Sequence, residues 1–152
     1  MNKLKRYVIV DIDGTVAKVS SERLKHLKQD EPDWDTFYEL CFNDKPIAEM
    51  IELVNYLFLH YDVAFCTGRR EAVRDKTLTW LENNLAFSPK YTTLLMRPNG
   101  DLRHDTEVKP ELLANSGIKL EDIAFVLEDR ASMVEKWREM GLRCLQVDKG
   151  NF

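Results

Sequence analysis

This sequence of 152 residues predicts an α/β fold of three layers. A five-stranded, mainly parallel sheet carries helices on both faces, with a small cap or none. Three observations carry that expectation. Short β-branched runs alternate with segments of helical periodicity along the whole chain, which favours parallel strands joined by crossover helices. The runs are apolar nearly throughout instead of alternating, as strands buried on both faces are. The length is about one domain's worth, with 44% apolar and 32% charged residues, an ordinary balance for one buried core. The whole of residues 1–152 therefore reads as one domain.

The first strand is residues 6–10 (RYVIV), a run that stops at Asp11. Residues 16–45 follow as an irregular stretch, too long for a tight connection and only weakly helical around His26 and around Phe37; it reads as a small lid. Over 46–60 the spacing predicts a helix with Ile47, Met50, Ile51, Val54, Leu57 and Phe58 on one stripe and Pro46 in its first turn. Residues 62–67 (DVAFCT) form the second strand, stopped by Gly68, and a helix over about 70–85 buries Val73, Thr77, Trp80 and Leu81. The third strand is 91–96 (YTTLLM), closed by the turn signal Pro98-Asn99-Gly100. Lys109-Pro110 opens a short helix that ends near Gly117. Residues 123–127 (IAFVL) make the fourth strand. Met133, Val134, Trp137 and Met140 mark a helix with Gly141 at its C-terminal cap, and 142–147 supply the fifth strand.

Composition excludes several classes. No apolar run approaches 18 residues, so no membrane span is expected, and the start MNKLKRYVIV lacks the small-residue cleavage site of a signal peptide. Cys41, Cys66 and Cys144 form no CxxC pair and read as reduced core thiols of a cytoplasmic protein. The net charge of -4 is unevenly spread: residues 31–64 hold eight acids against one lysine, whereas 65–109 are net basic.

In open parallel sheets chemistry gathers at the carboxyl ends of the strands. Those ends read Asp11-Ile12-Asp13-Gly14-Thr15, then Thr67-Gly68-Arg69-Arg70, then Glu128-Asp129-Arg130, with Lys109 opening a helix on the same side. A lone DxDG is weak, being equally a turn or a piece of a calcium loop. The calcium loop fails here because Gly14 is the fourth residue after a strand, not the sixth after a helix. Four strand-end groups in this order point instead to phosphoryl transfer through an aspartate. A carboxylate meets a phosphate dianion with repulsion of about 4 kcal/mol per unit-charge pair at an effective dielectric of 20. A divalent cation between them reverses the sign, and a carboxylate ligand set suits magnesium, Mg2+.

In that chemistry Asp11 is the nucleophile. Asp13, two residues on, protonates the leaving oxygen and later takes a proton from the attacking water. Gly14 permits the sharp turn that brings the Asp13 carbonyl to the metal. Thr67 offers a hydroxyl, the N–H groups of Gly68 and Arg69 suit phosphate oxygens, and Lys109 supplies a fixed positive charge. Asp11, Asp13 and Asp129 are the expected metal ligands, with Glu128 beside Asp129 either behind the ligands or reaching the metal through a water.

This ordered set resembles the haloacid dehalogenase superfamily of aspartate-nucleophile phosphatases, on VIVDIDGTVA, VAFCTGR, the lysine of VKPELL and AFVLEDR. The resemblance implies a Rossmann-like sheet in the order 5-4-1-2-3 and a magnesium-dependent aspartyl-phosphate mechanism. The segments RPNGDLRHDTEVKPELL and EDRASMVEKWREMGLRCLQVDKGNF are further similar to the 3′-phosphatase half of bacteriophage polynucleotide kinase–phosphatase. That likeness implies that Asp105 orients Lys109 and that Arg69 and Arg130 bind or orient the phosphorylated end. The sequence departs from it in three places. Glu128-Asp129 replaces a pair of aspartates, Thr67 stands where a serine is usual, and no GxxxxGK[ST] occurs, so no kinase half is expected in this chain.

A 3′-phosphatase of nucleic-acid ends is the function these residues favour. A nucleotidase or small-molecule phosphomonoesterase is the alternative, and a non-catalytic binder of phosphorylated ends is an alternative of another class. Arg69, Arg70, Arg74, Arg97, Arg103 and His104 flank the motifs and suit tracking of a few backbone phosphates. Trp80 and Trp137 fall on apolar helix faces, which leaves Trp34 as the aromatic candidate for stacking on a base. His26 and His60 read as structural. Setting Asp11, Asp13, Glu128 and Asp129 aside as partners of a cation takes the formal balance from -4 to 0, so net charge does not exclude a nucleic-acid substrate.

Overall fold

A computed structural model describes residues 4–89 and 92–150. In chain order the elements begin with β1 (Tyr7–Val10), β2 (Ala17–Lys18), α1 (Ser21–Lys25), α2 (Trp34–Glu39) and β3 (Lys45–Pro46). They continue with α3 (Ala48–Leu57), β4 (Asp62–Arg70), α4 (Arg74–Asn84), β5 (Thr93–Arg97), α5 (Asp105–Asn115), β6 (Ile123–Glu128), α6 (Ala131–Glu139) and β7 (Cys144–Gln146). The main sheet is wholly parallel, in the order β5-β4-β1-β6-β7, so the first strand is central and the chain winds outward in both directions from it. This is the Rossmann-like arrangement. No helix of the described residues is long and apolar enough to cross a membrane.

Alternation along each strand divides the core into two layers. Val8 and Val10 of β1, Val63 and Phe65 of β4, and Leu94 and Met96 of β5 pack with Ile51 and Val54 of α3 and with Trp80 and Leu81 of α4. The intervening Ile9, Ala64, Cys66 and Val126 face Leu113 of α5 and Met133, Val134 and Trp137 of α6. Both faces of β1 are thus buried, which is why its sequence is a continuous apolar run. Gly141, at φ 85°, ends α6 as expected: its N–H donates to the Arg138 carbonyl and that of Leu142 to Trp137.

Several boundaries differ from the sequence expectation. Pro46 does not start a helix. It pairs with Ala17 in an antiparallel two-stranded ribbon, where a missing N–H costs little, and α3 starts after an extended Ile47. Gly68 does not stop β4, whose ladder shifts register after Thr67 and resumes at Arg70 opposite Arg97. Lys109-Pro110 lies inside α5, not at its start. His104 caps that helix, its Nδ1 accepting from the Thr106 N–H, and Pro110 is tolerated inside it. The third strand begins at Thr93; Tyr91 lies outside the described residues. The expected lid, 16–45, is an ordered insert whose Val16, Ala17, Phe37, Tyr38 and Cys41 join the first core layer.

Candidate active site

The parallel register delivers the motifs to one edge. Val10 sits level with Phe65 on one side and Leu127 on the other, so the next residues, Asp11, Cys66-Thr67 and Glu128, emerge together. The Asp11 N–H donates to the Leu127 carbonyl at 3.0 Å, which fixes where its side chain leaves the sheet. Lys109, one turn into α5, crosses to the same point. Its ammonium donates to Asp11 Oδ1 at 2.8 Å and to Glu128 Oε2 at 2.9 Å. Thr15 Oγ1 lies 3.0 Å from Asp11 Oδ2 and 3.5 Å from Asp129 Oδ1. Glu128 Oε1 accepts from the Asp129 N–H at 3.2 Å, so the Glu-Asp pair holds its own turn.

Asp11, Glu128 and Asp129 place one carboxylate oxygen each within 4.8 Å of one another, and all three residues are buried. Three anions face one ammonium there. Burial, followed by the charge of Asp11, pushes the carboxyls of Glu128 and Asp129 well above the ordinary range. The donor set is oxygen only, which fits a small hard divalent ion. Gly14 (φ 84°) closes the cradle: a Cβ there would stand 2.1 Å from Asp129 Oδ2. Magnesium therefore fits the residues present, and Glu128 stands with Asp11 and Asp129 in the cluster that could hold it.

The Asp13 carboxylate is not in that cluster. Arg69 donates to it through Nη2 at 2.7 Å and Nε at 3.2 Å, and Arg23 through Nη1 at 3.0 Å. Burial alone would raise its pKa, but the guanidiniums of Arg69 and Arg23 outweigh burial and hold the carboxyl far below the usual range. The Asp13 side chain is thus held by guanidiniums and stands apart from the three-carboxylate cluster. Asp44 closes this network from β3's approach, bonded to Arg23 and 3.5 Å from Arg69 Nη2. Arg23 is itself pinned by the insert, its Nε donating to the Phe37 carbonyl at 2.8 Å and its guanidinium lying 4.1 Å over the Phe37 ring.

These contacts bear on two expectations for charged residues. Arg69 is fully buried and engaged by Asp13 and Thr77, so its side chain is not presented to a bound phosphate. Asp105 acts on Lys109 through charge and not through a hydrogen bond. Its carboxylate is drawn to Arg97 and to Arg130, the latter at 3.1 Å, and packs where a Cβ on Gly68 would lie 2.6 Å away. The hydrogen bonds that hold Lys109 are those to Asp11 and Glu128.

Arg23 and Asp44 carry no signal in the sequence, since SERLK and NDK read as solvated surface. The expected arginine track is likewise mostly engaged. Arg74 pairs with Glu71, Arg103 with Asp101 and Glu111, and the buried Arg97 bonds Asp105 and the carbonyls of Gly68 and Arg103.

Between these groups lies a cavity of about 30 Å³, lined by Asp11, Asp13, Thr67, Gly68, Asp129 and Arg130. Trp34, Phe37 and Tyr38 of the insert also line it, so residues 16–45 do reach over the strand ends. Thr67 Oγ1 accepts from the Arg69 N–H at 3.1 Å, shaping the loop that carries Gly68.

Similar proteins are found by sequence and by shape. Two structures described as the Pnkp1/Rnl/Hen1 complex and the Pnkp1/Rnl/Hen1 RNA repair complex contain chains similar to this one. They show 29% and 28% identity, TM-scores of 0.76 and 0.78, and coverage of 100% and 98% of this chain. This chain spans only 49% and 44% of their length. A class C acid phosphatase from Bacillus anthracis, solved with tungstate bound, shares the fold at 16% identity and a TM-score of 0.66, over 99% of this chain and 69% of its own. Residues 5–152 match the family described as the polynucleotide kinase PNKP phosphatase domain, and the chain belongs to that family of haloacid dehalogenase-type phosphatases.

Proposed function

We infer that this domain is a magnesium-dependent phosphomonoesterase that removes 3′-phosphate from nucleic-acid ends through a phosphate ester of Asp11. The observation that carries the reading is Asp11 itself: a buried carboxylate held by Lys109 and Thr15 at the wall of a small cavity, with two further carboxylates behind it. Asp11 attacks phosphorus, a P–O bond to phosphorus forms and the bond to the leaving oxygen breaks, that oxygen taking its proton from solvent water. Water then attacks the phospho-aspartate, giving up a proton toward Asp13 and releasing inorganic phosphate with the Asp11 carboxylate restored. Lys109 offsets charge on Asp11 and on the incoming phosphate. When bound, magnesium supplies charge neutralisation for phosphate and carboxylate, held by Asp11, Asp129, Glu128 and the Asp13 carbonyl. The position of the phosphate on the substrate rests on the family and on the Pnkp1-containing relatives. The test compares phosphate release from 3′- and 5′-phosphorylated oligonucleotides and from nucleoside monophosphates, with and without magnesium. The 3′-phosphorylated oligonucleotide is expected to react fastest, by at least about tenfold. Equal rates for the two ends, or release from neither, overturn the positional reading, and a faster nucleoside monophosphate makes the enzyme a nucleotidase.

The acid cluster also sets a pH dependence for stability. Glu128 and Asp129 have raised pKa values when folded, so between the ordinary carboxylate range and those raised values the folded chain binds more protons than the unfolded one. Stability of the metal-free protein therefore falls as pH rises through that window, and a bound divalent cation removes the cause. The gain in Tm from magnesium chloride over sodium chloride of equal ionic strength is expected to be several degrees larger at pH 8 than at pH 5.5. Equal gains at both pH values would show that the cation does not meet these carboxylates.

A further inference from the structure

Beside the small cavity at Asp11 lies a second one, of about 390 Å³, and the two share Trp34, Tyr38, Asp105 and Arg130 in their walls. That volume falls in the range of small-molecule sites, and its position is where the leaving group of a phosphomonoester must extend. Its composition is selective. The Trp34 ring is 38% exposed and stacks on Tyr38 with centroids 6.0 Å apart at 26°. The Arg70 guanidinium lies 5.5 Å over the Tyr38 ring, tied to Asp35 on one side. Its Nε is buried without an acceptor among the described residues, a donor left unpaired at a cost. Leu102, 80% exposed, adds an apolar edge to the same cavity.

A flat aromatic face, an exposed aliphatic side chain and a guanidinium in the wall ask for a planar ring that carries polar atoms. A sugar or glycerol phosphate leaves the Trp34 face bare, and a plain hydrocarbon makes no use of the Arg70 charge. A run of backbone phosphates is poorly served, because Arg97 and Arg103 are already engaged by carboxylates and carbonyls. We propose that this cavity seats the nucleobase of the nucleotide bearing the scissile phosphate, with Trp34 as stacking platform and the Arg70 guanidinium in the wall beside it. Selection is then for a base-bearing end, tolerant of which base it is, since every base has a π face. The seat rests on the phosphomonoesterase reading above and adds to it the part of the substrate that is held.

The experiment uses the whole chain with magnesium and two oligonucleotides of one sequence. One ends in an ordinary nucleotide 3′-phosphate, the other in an abasic sugar 3′-phosphate. The wild type is expected to prefer the base-bearing end by about 10- to 100-fold in kcat/KM, carried mainly by KM, the weight of one base stack. Trp34→Ala should collapse that preference toward unity, and Trp34→Phe should retain most of it. Arg70→Gln should lower it by a smaller factor. If the wild type releases phosphate from both ends at one rate, or if Trp34→Ala keeps the full preference, the base seat is wrong while the phosphatase reading stands. Release from neither oligonucleotide overturns the reading itself and the seat with it. Because the measured quantity is a ratio within each variant, a general loss of folded enzyme does not move it.

Discussion

Asp11→Asn is expected to lower turnover of every phosphomonoester by about four to six orders of magnitude, leaving the residual acceleration that the surrounding charges provide. The reason is chemical, because the substitution preserves nearly all else. Asparagine is isosteric, its carbonyl oxygen still accepts from Lys109, and the backbone bond to Leu127 is untouched. What disappears is the carboxylate oxygen that forms the bond to phosphorus. The fold should not suffer. One of three crowded buried anions is removed, so the metal-free variant is expected to match or exceed the wild type in Tm. Asp11→Glu keeps the charge but moves the oxygen by a methylene, and should be nearly as inactive, since misplacement of the attacking atom is itself costly. Activity is read by phosphate release, and the intermediate by acid-stable labelling of the chain from a phosphorylated oligonucleotide. Labelling of Asp11→Asn at the wild-type level would place the nucleophile elsewhere.

The contrast between Asp11 and Arg23 shows what a sequence makes legible. Asp11 ends a β-branched run, and the strand itself announces its position: Tyr7–Val10 is apolar on both faces, so the first polar residue after it must lie at the sheet's edge. The same logic reaches Thr67 and Glu128-Asp129 and explains why the strands are readable, whereas their order in the sheet rests on the family resemblance. The sequence sets Lys109 at the start of its helix, whereas it lies a turn inside, because a proline that usually opens a helix here sits within one. Arg23 and Asp44 follow no period. They lie in an insert whose short helices and two-residue strands give too few residues for a pattern, and they matter only because the insert folds back over Asp13. A charged residue reads as solvated until its burial is known, and burial of Arg23 at 0% exposure is a property of tertiary structure alone. The same limit accounts for Arg69 and Asp105, whose roles depend on which opposite charge arrives first.

Those contacts bear on what Asp13 does, and they yield the sharper of the kinetic expectations. Two guanidiniums fix the Asp13 carboxylate in its ionised form, so the resting site presents a base, weak by its pKa but strong by its placement beside the cavity. Hydrolysis of the phospho-aspartate, which needs a proton removed from water, is the step such a group serves directly. Asp13→Asn is therefore expected to slow steady-state turnover by about 10²- to 10⁴-fold on any ester. With an aryl phosphate, whose leaving group needs little protonation, the first step survives. A burst of phenol near one equivalent per enzyme should precede the slow phase, with phosphate retained on the chain. With an oligonucleotide 3′-phosphate the leaving alkoxide must also find a proton, so a larger loss and no burst would show that Asp13 carries that proton in spite of the two guanidiniums. A slow aryl reaction without any burst would move the role of Asp13 to formation of the intermediate, and equal losses on the two esters would free it from protonating the leaving group. Arg23→Lys separates position from charge: it keeps one cation near Asp13 but loses the fork that also bonds Asp44 and the Phe37 carbonyl. If Asp13 works by where it is held, this variant should show the aryl burst in weakened form with a slower second phase, whereas wild-type kinetics would mean that Arg69 alone suffices to hold it.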